Sequence, residues 1–378
     1  MIRGDRALLV IVAMLTSIGL VCVYSAGSFH AFVKYGDANH FLIRQFMRVL
    51  VGAGAFLLCL KLNLRTLERF APALLAVASA LLVVVFVMGH MSNGATRWLR
   101  MGVLSLQPTD LARLAMVVFL AWWLKRNPIE ERGFWKGMGL PMVFVLVVAG
   151  LILKQPNLSS AGLLLLTSIG ILVLAGAPWR YLAIPGGIIA SVAAVAVALH
   201  PYMQKRVDTF LGFILRGELD KQGAGYQLDQ SLIAIGSGGL LGRGPGGSLQ
   251  KFNFLPEAHT DFIFSITAEE FGLIGVTVLF VLLALLLWRG LRIAARASDP
   301  FHALLAGGIT IQLGMYAIAN LAVATGLAPT TGLPLPFISY GGSALMVNAA
   351  AIGLLYRIST LNDEADALTR QRWSREAR

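Results

Sequence analysis

From Ala7 to Phe29 the chain runs through one unbroken apolar stretch, and comparable runs recur along most of its length. Such a chain cannot fold around a single water-bounded core. A bilayer crossing needs ~20 mostly apolar residues. Inside hydrocarbon every backbone polar group must be paired internally, which leaves helices or closed barrels. Judged by apolar length, the runs number ten, at roughly 7–29, 41–60, 71–90, 109–124, 138–153, 157–177, 181–200, 262–288, 302–325 and 338–357. Arg44 and Arg48 interrupt the start of the second, and the short fourth contains Arg113. The fold class expected is an all-α polytopic membrane protein with ten transmembrane helices. Residues 1–358 form the membrane domain, 201–261 a large extracytoplasmic loop between helices 7 and 8, and 359–378 a cytoplasmic tail. The first run follows Arg3 and Arg6 and is longer than the apolar region of a cleavable signal, so it reads as a retained span. Composition agrees: only 13% of residues are charged, about half the share of an ordinary soluble domain.

Ten crossings place both termini on one side. Eighteen of the 31 Lys and Arg then fall on that side and eleven on the other, with Arg113 and Lys154 in or at the edge of spans. Six of the eleven lie in loop 201–261, and long loops cross largely regardless of charge. The short loops therefore set both termini in the cytoplasm. The net charge of +12 reads as this topology signal and as contact with anionic lipid. Nucleic-acid binding is not expected, because no basic stripe with interleaved aromatics lies on a soluble element. Cys22 and Cys59 fall near opposite membrane faces, which argues against a disulfide, and no metal-ligand spacing is present.

Four Gly-, Pro- and polar-rich segments, 93–110, 154–160, 242–261 and 325–343, all map to the outer face. They suggest an outward-facing cavity. The Gly-rich stretch 236–248 could be a flexible linker; its neighbouring Ile233, Ile235, Leu240, Leu241, Phe252, Phe254 and Leu255 favour a re-entrant or surface-lying loop. Asp261 sits at the mouth of the eighth run. It could cap that helix, with Thr260 as competing cap, or act as a general base at the membrane surface. Ser265 and Glu269 would share its helical face at i+4 and i+8. A carboxylate within a span is a functional candidate by default; Glu270 reads as structural. Asp110 and Arg113 stand at i and i+3 and can pair. Arg97, Lys154, Arg206, Arg243 and Lys251 are outer cations that anionic phosphate would want, although some are surface charges only. Trp98 could be an interfacial anchor.

The blocks GATRWL (94–99), QPTDLARLA (107–115), KQPNLSSAG (154–162), GPGGSLQKF (244–252), LPEAHTDFIFSITAEEFG (255–272) and TTGLPLPFISYGGSAL (330–345) resemble, in order, those of the SEDS family. These are polytopic peptidoglycan glycosyltransferases of the FtsW and RodA kind, and the run around SLQKF and PEAHTD is closer to the FtsW-like division branch. The resemblance implies polymerisation of lipid II on the outer face of the bacterial inner membrane, with 201–261 as the periplasmic loop. It implies Asp261 as catalytic base. It implies Trp98 as a site residue, and Asp110 and Arg113 as a structural pair near the cavity. Together with the outer-face residues, the substrate-binding set expected is Trp98, Arg97, Lys154, Arg206, Arg243, Ser248, Lys251, Glu257, His259, Thr260, Glu269 and Ser339. Asp110 and Arg113 replace the family's Glu and Lys with the charge signs kept, whereas Asn157 replaces its usual Asp. A divalent cation, Mg or Mn, could share the pyrophosphate charge. The implied partners are lipid II, a class B penicillin-binding transpeptidase and other divisome or elongasome membrane proteins. Rival readings are a lipid II flippase, which often shows internal repeats not found here, and a non-catalytic scaffold for the transpeptidase.

Overall fold

The computed structural model describes residues 4–88, 90–92, 95–101, 104–199, 201–217, 219 and 223–376. Among these, helices dominate: α1 (Arg6–Tyr35), α2 (His40–Lys61), α3 (Leu64–Arg69), α4 (Ala71–Met88), α5 (Pro108–Arg126), α6 (Ile129–Gly133), α7 (Leu140–Leu153), α8 (Leu158–Leu174), α9 (Trp179–Leu199), α10 (Pro201–Arg216), α11 (Gly223–Ser237), α12 (Ile263–Ala295), α13 (Pro300–Ala324) and α14 (Gly342–Glu376). A π-helical turn, Phe134–Gly139, joins α6 to α7. Among the described residues, six helical stretches are long and apolar enough to cross a membrane: α1, α2, Ile129–Leu153, α12, α13 and Gly342–Thr369. Ala71–Phe86 and Leu158–Leu174 are apolar but shorter.

The helices bury small residues where they meet, which lets backbones approach closely. Gly353 of α14 lies against the backbone of Phe56 on α2, where an added Cβ would come within 2.8 Å of the Phe56 carbonyl. α13 carries the most buried apolar window of the six, with 72% of it inside the protein. It packs on α5, α8, α12 and α14 and forms the centre of the bundle.

Three features differ from the sequence expectation. Segment 90–106 holds a three-stranded antiparallel sheet of β1 (His90–Ser92), β2 (Ala95–Met101) and β3 (Leu104–Leu106), in the order β1-β2-β3. Its strands are short and Gly-flanked, so alternation had little length in which to show. The stretch read as one long loop carries α10 and α11, and α11 packs on α12. The final helix does not end near Arg357 but continues to Glu376.

The Gly-rich stretch is built into the bundle. Gly272 interrupts α12 with φ 62° and ψ −162°. That break frees backbone groups, and the chain at 239–244 takes them up. The Glu269 and Glu270 carbonyls accept from the N–H groups of Arg243 (2.9 Å) and Gly244 (3.0 Å), while Leu273 and Ile274 donate to the Gly239 (2.9 Å) and Leu240 (3.3 Å) carbonyls. A Cβ on Gly272 would meet the Leu240 carbonyl at 2.6 Å, so both the left-handed φ and the close approach require glycine there. Irregular backbone is tolerated at such depth where protein covers it.

Candidate functional site

Asp261 stands in the turn that feeds α12. The Glu257 carbonyl accepts from the backbone N–H groups of Thr260 (3.1 Å), Asp261 (3.1 Å) and Phe262 (3.3 Å), and Glu257 adopts φ 55° to close this turn. The residue at the N-cap of α12 is Phe262, with no side-chain cap. The Thr260 hydroxyl donates instead to the Glu257 carboxylate at 2.8 Å. Neither Asp261 nor Thr260 therefore caps α12, and the Asp261 carboxylate is left for another task. Because Asp261 precedes the helix, the expected common face with Ser265 and Glu269 does not form. Ser265 turns to Ser231 of α11 at 2.6 Å, and Glu269 turns to the Gly-rich loop.

Three distant segments meet at Asp261. Asn320 of α13 donates its amide to the carbonyls of Asp261 (2.8 Å) and Leu333 (2.8 Å). Gly332 lies beside the carboxylate, 3.6 Å from a Cβ built there to Asp261 Oδ2. Arg206 of α10 donates to the Thr330 carbonyl at 2.5 Å. Burial pushes the Asp261 carboxyl up to about 7, the Glu257 charge adds to the rise, and Arg206 opposes it. A carboxyl tuned to that range can hold or release a proton at physiological pH.

His259 is buried. It stacks on Phe41 of α2 with centroids 4.3 Å apart and packs against Tyr340 at 5.5 Å, and its carbonyl accepts from the Tyr340 N–H at 2.9 Å. Burial lowers its pKa to about 4, Glu257 resists the fall, and the charges of His30 and Lys34 add to it. His259 is thus neutral near pH 7 and shapes the site by packing.

Glu269 and Glu270 clamp the Gly-rich loop from below. Glu269 accepts from Ser248 Oγ (2.5 Å) and the N–H groups of Leu249 (3.1 Å) and Gln250 (3.4 Å), and Arg243 lies 3.7 Å away. Glu270 accepts from Ser25 Oγ of α1 (2.5 Å) and the Ser248 N–H (3.4 Å), with Lys251 Nζ at 3.8 Å. Both acids are buried, as the default reading of intramembrane carboxylates requires partners.

The remaining candidates are spread more widely. Trp98 lies on β2 with its ring against Gly342 at the start of α14. The side chain of Arg97, on the same strand, falls outside the described residues. Lys154 is exposed at the C-terminus of α7. Asn157 caps α8, accepting from the Ser160 N–H at 3.3 Å. Ser339 is buried, its hydroxyl accepting from the Leu335 N–H (2.8 Å) and its carbonyl from Gln45 Nε2 (3.2 Å). Asp110 and Arg113 form a buried pair; Asp110 also accepts from Ser343 Oγ at 2.5 Å, and Arg113 stacks over Tyr316 at 4.2 Å. Among the described residues no group of three or more His, Cys, Asp or Glu could hold a metal ion. Sequence reasoning missed Asn320, whose only signal was an amide inside an apolar run.

The fold and this arrangement define a multi-pass membrane protein with a carboxylate-centred site at one end of its bundle. The profile of the FtsW, RodA and SpoVE cell cycle proteins matches residues 6–364, and the chain belongs to that family. A protein of Alkalilimnicola ehrlichii named "Probable peptidoglycan glycosyltransferase FtsW" is 40% identical over 361 residues, covering 94% of this chain and 89% of its own. The protein of the same name from Halorhodospira halophila is 41% identical over 359 residues, covering 93% and 90%. Among solved structures, a chain from a peptidoglycan synthase complex described as coordinating polymerization and crosslinking aligns with a TM-score of 0.79 at 32% identity, covering 95% of this chain and 98% of that one. The rod shape determining protein RodA of Thermus thermophilus aligns with a TM-score of 0.69 at 30% identity, covering 94% and 96%.

Proposed function

We propose that this protein is a peptidoglycan glycosyltransferase that polymerises lipid II at the outer face of the bacterial cytoplasmic (inner) membrane, with Asp261 as general base. The observation that carries the role of Asp261 is its carboxyl at the mouth of α12, uncapped, tuned to about 7, and faced by the Arg206 charge. Family membership and the glycosyltransferase relatives carry the reaction class.

The acceptor is the 4-hydroxyl of a GlcNAc on one lipid II. Asp261 takes its proton as the oxygen attacks C1 of the donor MurNAc. The bond from C1 to the pyrophosphate breaks, and undecaprenyl pyrophosphate leaves with its electron pair. In-line attack on the α-linked donor yields a β-linked strand. Arg206, Arg243 and Lys251 would stabilise the departing charge, with Lys154 and Arg97 as further cations for it. Glu257, Thr260 and His259 shape the turn that aims Asp261, while Ser248 and Glu269 hold the loop that presents Arg243 and Lys251. Trp98 and Ser339 flank the start of α14 as further substrate contacts. A divalent cation, Mg or Mn, could share the pyrophosphate charge.

In this reading the chain crosses the membrane ten times through α1, α2, α4, α5, α7, α8, α9, α12, α13 and α14. Both termini are cytoplasmic and 201–261 is periplasmic, which follows the basic bias of the short loops. Its partner is a class B penicillin-binding transpeptidase, alongside other divisome or elongasome proteins. Purified protein, lipid II and that partner should yield glycan strands, and Asp261→Ala should yield none. Translocation of lipid II without polymer would instead support the flippase, and neither activity would leave the scaffold.

A further inference from the structure

At the far end of α12 from Asp261, a cavity of about 380 Å³ opens between the start of α1, the last turns of α12 and the middle of α14. The two lie at opposite ends of the 33-residue α12, which is broken once at Gly272. Four guanidiniums, those of Arg6, Arg289, Arg292 and Arg296, line it, against the carboxylates of Asp5 and Asp363.

Those acids are engaged. Asp5 accepts from both Nε (2.7 Å) and Nη2 (2.6 Å) of Arg289, and its own N–H donates to Ser359 Oγ at 3.0 Å, fixing α1 to α12 and α14. Arg296 meets Asp366 at 2.5 Å and Asp363 at 3.4 Å. Among the described residues no carboxylate lies within ion-pair distance of Arg6 or Arg292. The first turn of α1 also lines the cavity, with Asp5 as its N-cap accepting from the Leu8 N–H at 3.1 Å, so the anion-binding capacity of the cavity rests on its two unpaired arginines.

From each unpaired arginine an exposed apolar stripe runs back along its helix at helical spacing. On α1 it passes from Arg6 to Val10 and Met14; on α12 it passes from Arg292 to Trp288, Leu285 and Val281. A soluble anion would use the charges and leave the stripes idle. A molecule with a phosphate and two hydrocarbon chains uses both.

We propose that this cavity is a headgroup site for an anionic phospholipid, with Arg6 and Arg292 gripping its phosphodiester and its acyl chains lying along the two stripes. The site is independent of the glycosyltransferase reading.

The test is native mass spectrometry of the purified full chain, presented with equal amounts of phosphatidylglycerol and phosphatidylcholine and with inorganic phosphate as a separate arm. Phosphatidylglycerol should be retained at least tenfold over phosphatidylcholine. Arg6→Gln/Arg292→Gln should erase that preference, while Arg6→Lys/Arg292→Lys and the distant pair Arg132→Gln/Lys136→Gln should keep it. Inorganic phosphate should give no thermal stabilisation that phosphatidylglycerol gives. Equal retention of the two lipids in the wild type, a glutamine pair that still selects phosphatidylglycerol, or an equal shift from phosphate alone overturns the proposal. Should the glutamine pair not fold, exposed Arg292→Gln alone carries the test, with at least a threefold loss of preference expected.

Discussion

Replacing Asp261 by Asn should abolish polymerisation and yet stabilise the protein above neutral pH. The folded carboxyl sits at about 7, whereas an unfolded aspartate titrates near 3.9. The folded state therefore holds the extra proton between those values, and stability is full below the unfolded pKa and falls as pH rises through the folded one. Three units at about 1.4 kcal/mol each give roughly 4 kcal/mol as a ceiling. Asp261 keeps some contact with solvent, so screening brings the loss nearer half of that. Asn has the same shape and no charge, and escapes the loss. Thermal unfolding of both proteins in nanodiscs at pH 5 and pH 8.5 measures it: the advantage of the Asn variant should be small at pH 5 and reach a few degrees at pH 8.5. In parallel, wild-type polymerisation should climb through about pH 7 as the base loses its proton. An unfolding difference that does not change with pH would refute the buried-carboxyl argument, and a polymerising Asn variant would refute the general base.

His259 is neutral over the working range, with its pKa near 4, so His259→Phe should leave the rise of activity near pH 7 in place; a lost or displaced rise in the pH profile would count against a packing role. Asp110→Ala leaves Arg113 buried and unpaired, which costs about 3–5 kcal/mol; the double change Asp110→Leu/Arg113→Met should recover most of the thermal stability in a denaturation assay. Gly272→Ala forces a side chain into a left-handed φ against the Leu240 carbonyl and should destabilise by roughly 3 kcal/mol, read as a lowered unfolding temperature and faster proteolysis within 239–251.

The helices were legible because apolar length is a property of sequence alone: a helix stands at each of the ten expected positions. Their number as crossings is a finer matter, since α4 and α8 are short and Arg113 dilutes α5. The cluster at Asp261 was legible only in part. Asp261, Glu257, His259 and Thr260 are adjacent in sequence and announced themselves as polar residues beside an apolar run. Asn320 and the Gly332 wall come from segments some sixty residues on, and nothing local tied them to Asp261. Of the two alternatives open for Asp261, the cap falls because Glu257 turns the chain first and leaves Phe262 at the cap. Glu269 read as a substrate contact because helical spacing aligned it with Asp261, but the break at Gly272 gave it the Gly-rich loop to hold.

That break also constrains how the chain is assembled. The loop that completes α12 leaves the ribosome before α12 does. Until the two meet, the Glu269 and Glu270 carbonyls and the Leu273 and Ile274 N–H groups can be satisfied only by each other, as the i to i+4 bonds of an unbroken helix; in the folded chain all four bond to the loop instead. A newly inserted α12 can therefore run straight through Gly272, and the break seen in the folded chain requires the loop. Docking of the earlier-made loop exchanges two helical bonds for four bonds to the loop, so the bend at Gly272 is set by tertiary contact and not by local sequence.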